Sequence, residues 1–282
     1  MPMSQDDIRR HYEASWKEAS SQAADTASLS YSSPVEDAII YPIYERLIAD
    51  LGLRVSDGRV LDVGSGSGRW IRFFLERFKP ARIVGTDFTQ ASVDLLTRWH
   101  APMVEAKQVE FRTADITQEK LALGEAFDVI NIANVLFHIP EPDRFARALT
   151  NLSAHLADGG RVVTTEYLPR VSMRTEWMLV RSRYEFERAV EAAGMKIVDI
   201  RACSFFSNDP MGVDGPDDRT RRHFQQVRSM MAGIARSNLD AGGKQFFINY
   251  AAEIERACLA FCSERMAQMD MPAQKLVVLG RK

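Results

Sequence analysis

The sequence predicts an α/β protein built on a doubly wound, mostly parallel sheet, and three observations lead there. Short β-branched runs alternate with helical patterns along most of the 282 residues. One run, Phe127 to Ile132, is nearly continuous in apolar character, as strands covered on both faces are. A glycine-rich turn with Gly64, Gly66 and Gly68 joins the first run to the helix after it. Strands linked through helices make right-handed crossovers and therefore lie parallel.

Residues 5–19 form a helix with Tyr12 and Trp16 one turn apart. Residues 20–34, rich in Ser and Ala and ended by Pro34, read as a loop or strap. Val35, Ile39, Ile43, Leu47 and Leu51 share one helix face, and Pro42 either kinks that helix or starts it. Seven strands are expected, at 59–63, 81–87, 109–112, 127–132, 161–166, 196–203 and 275–279. The helix opened by Pro142-Asp143 carries Phe145, Leu149, Leu152 and Leu156 on one face and is expected to end at Gly159-Gly160. Another helix spans 182–194, stopped by Gly194. Residues 214–270 break the alternation with two amphipathic helical patterns and no strand, one with Phe224, Val227, Met231 and Ile234, the next with Phe246, Tyr250, Ile254, Cys258, Phe261 and Met266. The expected organisation is a helical N-terminal cap or strap (1–58), a core (59–213), an α-helical insertion acting as lid or interface (214–270) and a final core strand (271–282).

Thirty-six Lys and Arg against 38 Asp and Glu leave a net charge of −2, which argues against a nucleic-acid partner recruited by a strong overall positive field. No apolar run reaches the ~18 residues of a membrane span, and MPMSQDDIRR lacks the layout of a secretory signal, so a cytoplasmic protein without a membrane partner is expected. The three cysteines, Cys203, Cys258 and Cys262, cannot form a disulfide framework, and no Cys/His cluster has zinc spacing, so no metal is expected. Cys258 and Cys262, four apart in an apolar helical pattern, read as buried thiols.

The chemistry sits in VLDVGSGSGRW. Glycines after a strand let the backbone turn tightly and bring N–H groups close to a ligand. Three acids accompany them: Asp62 before the first glycine, Asp87 at the end of the second strand, where a carboxylate can bridge ribose hydroxyls, and Asp115 after the third strand, placed to accept from an adenine amine. A nicotinamide or flavin fingerprint would want glycine at position 69, where Arg69 stands, and Asp62 would repel a pyrophosphate. A sulfonium cofactor carries positive charge and no phosphate, and so tolerates carboxylates nearby.

With these motifs the sequence resembles the class I S-adenosylmethionine-dependent methyltransferases, from about residue 59 to 166 in its motifs and to the end in strand order. The resemblance implies a Rossmann-like sheet of seven strands whose last, Lys275 to Leu279, runs antiparallel. It implies that Gly64, Ser65, Gly66 and Gly68 surround the methionine part, and Asp62 is expected among the cofactor-binding residues. Asp87 and Phe88 would hold the ribose, and Ala114, Asp115 and Ile116 the adenine. Ile132 and Asn134, after the fourth strand, would line the cofactor and acceptor pocket. Tyr12 and Trp16 read either as a packed helix face or as a cover over the cofactor.

For the transfer itself, His138 lies just past the fourth strand with a pKa range suited to a general base; its other reading is a cap for the following helix. Glu166 and Tyr167, after the fifth strand, are expected to project together toward the acceptor, with Asn208 and Asp209 as further candidates. Arg221 and Arg228, among five arginines of the insertion's first helix, read as a solvated face or as a lid meeting an acidic group on the acceptor; His223 shares that helix.

The Asn/Asp-Pro-Pro-aromatic segment of amino-directed DNA methylases is missing, as is a Pro-Cys pair and the carboxylate cluster of a catechol-type metal site. The expected acceptor is therefore a small molecule, a sugar or polyketide-like metabolite methylated on oxygen. Methylation of a small amine on nitrogen remains an alternative. So does a non-catalytic subunit that binds the methyl donor or its demethylated product, S-adenosylhomocysteine. The apolar face of the insertion leaves homodimerisation open.

Overall fold

The computed structural model describes residues 4–22, 34–204, 222, 226–227, 229–230, 233–234, 237–265 and 274–282. Two helices, α1 (Gln5–Gln22) and α2 (Pro34–Asp50), precede the sheet. Then follow β1 (Arg59–Val63), α3 (Arg69–Arg77), β2 (Arg82–Asp87), α4 (Gln90–Trp99), α5 (Ala101–Glu105), β3 (Val109–Thr113) and β4 (Phe127–Ile132). The second half holds α6 (Pro142–Ala154), β5 (Leu156–Glu166), a ribbon of β6 (Met173–Arg174) with β7 (Leu179–Val180), α7 (Arg183–Ala192), β8 (Met195–Ser204), α8 (Ala241–Arg265) and β9 (Gln274–Arg281).

Seven strands form one sheet in the order β3-β2-β1-β4-β5-β9-β8. Strands β1 to β5 pair in parallel, whereas β9 runs antiparallel to both β5 and β8. The chain leaves β1 toward β3 on one side and restarts at β4 on the other. That reversal opens a crevice at the carboxyl ends of β1 and β4, where ligands bind in doubly wound sheets.

Both faces of the sheet are covered, which explains the apolar strands. Alternate side chains point to opposite faces. Leu61, Val84 and Ile130 pack with Phe145, Leu149 and Phe186 of α6 and α7. Val60, Ile83 and Val129 pack with Tyr44 and Leu47 of α2 and Phe73 and Phe74 of α3. Helix α2 runs through Pro42 and starts at Pro34, so Pro42 does not open it. Helix α8 lies between β8 and β9 in the chain, where the insertion was expected, and packs through Ala252 and Leu259 against Val35, Ile39 and Ala202. Its Phe246, Phe247, Tyr250 and Ile254 are exposed. Cys203 is buried and Cys258 only half-buried.

The end of α6 departs from expectation. The helix stops at Ala154, and Leu156 belongs to β5, where it pairs with Phe127. Gly159 and Gly160 lie inside that strand, at a register shift between Phe127 and Val129. A Cβ on Gly160 would come within 2.8 Å of the Phe127 carbonyl oxygen, so the glycine serves strand pairing and not helix termination.

Candidate active site

The loop leaving β1 turns on left-handed backbone. Gly64 and Gly66 have φ of 72° and 51°, and the Gly64 and Ser65 amides both donate to the Thr86 carbonyl at 2.7 and 3.0 Å. Side chains there would also collide: a Cβ on Gly64 would run into Val135, and one on Gly66 would meet Trp16 Cζ2 at 3.1 Å. The bare backbone so exposed borders a cavity of about 390 Å³ at the carboxyl ends of β1 to β5.

Gly64, Ser65, Gly66, Asp87, Phe88, Ala114, Asp115, Ile116, Asn134, His138 and Tyr167 all line this cavity, as do Tyr12 and Trp16. The structure thus brings together residues from six separate segments. Asp87 Oδ1 accepts from the Thr89 amide and hydroxyl at 2.9 and 2.6 Å, and Oδ2 from the Gly66 amide at 3.0 Å. Burial raises its pKa, while those donors pull it back. Asp115 accepts from the Thr117 amide and hydroxyl at 2.8 and 2.7 Å. Asn134 has a left-handed φ of 59°; its amide donates to Thr165 Oγ1 at 2.7 Å, and its Oδ1 accepts from Thr165 and Gln274. A strained residue at the mouth of a ligand crevice fits a functional constraint.

Helix α1 lies across the opening. The Gln5 amide donates to Glu141 Oε1 at 3.0 Å, and Glu13 Oε2 accepts from the Ala91 amide at 3.4 Å. Trp16 is buried over Gly66. The Tyr12 hydroxyl stands 3.4 Å from His138 Nε2, and its ring lies 6.2 Å from that of Phe88.

His138 sits in a 3-10 turn, Leu136–His138, after β4. Its Nδ1 is 3.2 Å from the Trp177 carbonyl oxygen. A carbonyl only accepts, so Nδ1 carries the proton in the neutral ring and Nε2 keeps a lone pair. Burial lowers the His138 pKa below its usual value and favours that neutral form. Trp177 is held in turn by the His11 ring, 4.4 Å away.

Four expected site residues stand elsewhere. Gly68 is the N-cap of α3, where a Cβ would come within 2.7 Å of Leu96 Cδ2, and Ile132 is fully buried in the core. Asp62 lies beneath the loop, buried, accepting from Asn131 Nδ2 at 2.7 Å, while Asn131 Oδ1 accepts from the Tyr44 hydroxyl at 3.0 Å. Burial pushes the Asp62 pKa up to about 6. Glu166 does not project with Tyr167, because consecutive residues leaving a strand point to opposite sides. Its carboxyl is buried against Thr164 Oγ1 at 3.3 Å, and burial pushes its pKa up to about 8. Arg221, Arg228, His223, Asn208 and Asp209 lie outside the described residues.

Sequence reading missed Trp177 and Met178 on the small ribbon, and also Glu36, Arg69 and Phe137, of which all but Trp177 line the cavity. Arg69, noticed only as the residue that breaks a dinucleotide fingerprint, is paired through Nε with Asp37 Oδ1 at 2.7 Å.

Residues 61–162 match the family described as a methyltransferase domain. The demethylmenaquinone methyltransferase of Thermus thermophilus is 31% identical over 127 residues, covering 45% of this chain and 54% of that protein. The ubiquinone biosynthesis O-methyltransferase of Neisseria meningitidis serogroup C is 24% identical over 164 residues, covering 52% of this chain and 67% of that one. The chain therefore spans little more than half the length of the first of these relatives. Among solved structures, the (4+2)-cyclase SpnF superposes with a TM-score of 0.58 at 17% identity over 100% of this chain and 97% of its own, a likeness of fold alone. Residues 61–162 are thus a methyltransferase domain. The sheet of the whole chain, seven strands with β9 antiparallel, has the arrangement expected from the resemblance to the class I S-adenosylmethionine-dependent methyltransferases.

Proposed function

We propose that the whole chain is an enzyme that transfers a methyl group from S-adenosylmethionine to oxygen of a small molecule, with His138 as general base. The observation that carries the reading is the His138 ring: held through Nδ1 by the Trp177 carbonyl, it turns the Nε2 lone pair toward the Tyr12 hydroxyl 3.4 Å away, and both side chains line the cavity that the glycine loop borders. The relatives in quinone biosynthesis support a small-molecule acceptor, and one of them is an O-methyltransferase.

The residues present suit the cofactor. Side-chain-free backbone at Gly64 and Gly66 leaves room for a close approach. Carboxylates stand at the ends of β2 and β3, where Asp87 would hold ribose hydroxyls and Asp115 the adenine amine. Glu36 and Arg69, one of each sign, line the cavity and suit a zwitterionic amino-acid end. Buried Asp62 makes the loop hostile to a diphosphate. When bound, the cofactor supplies a methyl group on a positively charged sulfur.

The chain's own residues do the remainder. Tyr12 and Trp16 on α1 exclude water, the cavity wall aligns the acceptor, and His138 Nε2 takes the proton of its hydroxyl. Incubation with S-adenosylmethionine and a panel of hydroxyl and amine compounds, with S-adenosylhomocysteine as readout, tests the proposal. His138→Ala is expected to cut kcat by ~100-fold or more while leaving cofactor affinity in place. An unchanged rate from pH 6 to pH 9 would remove His138 from the role of base.

A further inference from the structure

Asp62 is 1% exposed on β1, and although Val63, Gly64 and Ser65 after it line the cavity, its own side chain does not. Asn131 Nδ2 on β4 donates to its Oδ1 at 2.7 Å, and the Tyr44 hydroxyl on α2 fixes that amide by donating to Asn131 Oδ1 at 3.0 Å. Asp62 Oδ2 meets no donor; the nearby Ser65 hydroxyl turns instead to the Asp62 carbonyl at 3.1 Å. The titratable groups that face this carboxyl are Asp87 on β2 and the Tyr44 hydroxyl, and among the described residues no Lys or Arg pairs with it. We infer that the Asp62 carboxylate is a charge discriminator: from beneath the glycine loop it favours the sulfonium of S-adenosylmethionine over the neutral sulfur of S-adenosylhomocysteine. The product is then held less tightly than the donor. The inference rests on the methyl-transfer reading above and gives a specificity role to a residue that lies outside the cavity.

A carboxylate buried with one oxygen unmet lacks a compensating positive charge. A cation in the cavity supplies it across the bare backbone of Gly64 and Gly66, and the donor and product differ there by one methyl group and one charge. Other groups on the cavity wall do not take this role. The His138 ring is neutral, with its proton on Nδ1, and Arg69 is paired with Asp37 at 2.7 Å. The pH dependence follows from the burial. Desolvation pushes the Asp62 pKa up to about 6, and Asp87 pushes the same way. A bound cation favours the ionised form and lowers that value; by reciprocity, the ionised form binds the cation more tightly. Preference for the donor is therefore weak below about pH 5 and fully developed above about pH 7.

Calorimetry on the full chain, without acceptor, tests this with S-adenosylmethionine and S-adenosylhomocysteine at pH 5 and pH 7, on the parent protein and on Asp62→Asn. The carboxamide keeps the oxygen that Asn131 bonds and removes the charge. Between the two pH values the ratio of dissociation constants is expected to move ~5-fold or more toward the donor in the parent, and less than ~2-fold in the variant. Titrations near pH 5.5 in two buffers of different ionisation enthalpy count protons directly. S-adenosylmethionine should release ~0.5 proton more than S-adenosylhomocysteine, both in the parent and in His138→Ala, which lacks the titrating imidazole. This count decides the matter if Asp62→Asn fails to fold. A ratio that does not move with pH in the parent, an equal movement in Asp62→Asn, or a proton release lost in His138→Ala would overturn the inference while leaving methyl transfer standing. Failure of both compounds to bind would overturn both.

Discussion

Replacing Glu166 by Gln separates a buried structural carboxyl from a substrate-binding one. Glu166 is 3% exposed, and burial moves its ionisation from the ordinary 4.5 to about 8. The folded value lies above the unfolded one, so between those pH values the native state holds a proton that the unfolded chain has released. Stability from this group is therefore greatest below pH 4.5 and is lost as pH rises through about 8. At 1.36 kcal/mol per pH unit the full loss is roughly 5 kcal/mol, of which about 4 kcal/mol falls between pH 5 and pH 9. Gln keeps the shape and neutrality of the protonated acid and has no such pH dependence. Urea unfolding of both proteins at pH 5 and pH 9 is expected to show the variant gaining on the parent by a few kcal/mol at the higher pH. Asp62, which titrates in both, cancels in the difference. Acceptor KM should be unchanged, since Glu166 does not line the cavity. Parallel stability curves together with a raised acceptor KM would refute this placement and return Glu166 to the substrate.

Asp87→Ala removes the carboxylate that borders the cavity at the end of β2, and S-adenosylhomocysteine affinity should fall by about 3 kcal/mol, or ~100-fold, in calorimetry; unchanged affinity would mean the ribose lies elsewhere. Trp16→Ala opens the cover over Gly66, and the same titration should show ~10-fold weaker binding, whereas equal affinity would make Trp16 an ordinary packed helix residue.

What was legible in the sequence was local. A β-branched run followed by glycines, or an aspartate at a strand end, needs only neighbours to be recognised, and β1 to β4 begin and end within a residue or two of expectation. Contacts made across the fold were not legible. The Trp177 carbonyl that orients His138 comes from a position 39 residues away, on a ribbon whose strands of two residues leave no periodic trace. Glu166 and Tyr167 illustrate a different limit. In a strand covered on both faces, polarity does not say which face meets the cavity, and alternation then sends the two residues to opposite sides. The glycines after α6 misled for a related reason, because a glycine required by a bulge looks like one required by a helix end.

The central claim is that the glycine loop and the carboxylates around it receive an adenosyl sulfonium compound. Titrating the purified full chain with S-adenosylhomocysteine and, separately, with nicotinamide adenine dinucleotide tests it directly. The account predicts saturable micromolar or tighter binding of the first and no heat from the second. Tight uptake of the dinucleotide with silence toward S-adenosylhomocysteine would contradict it.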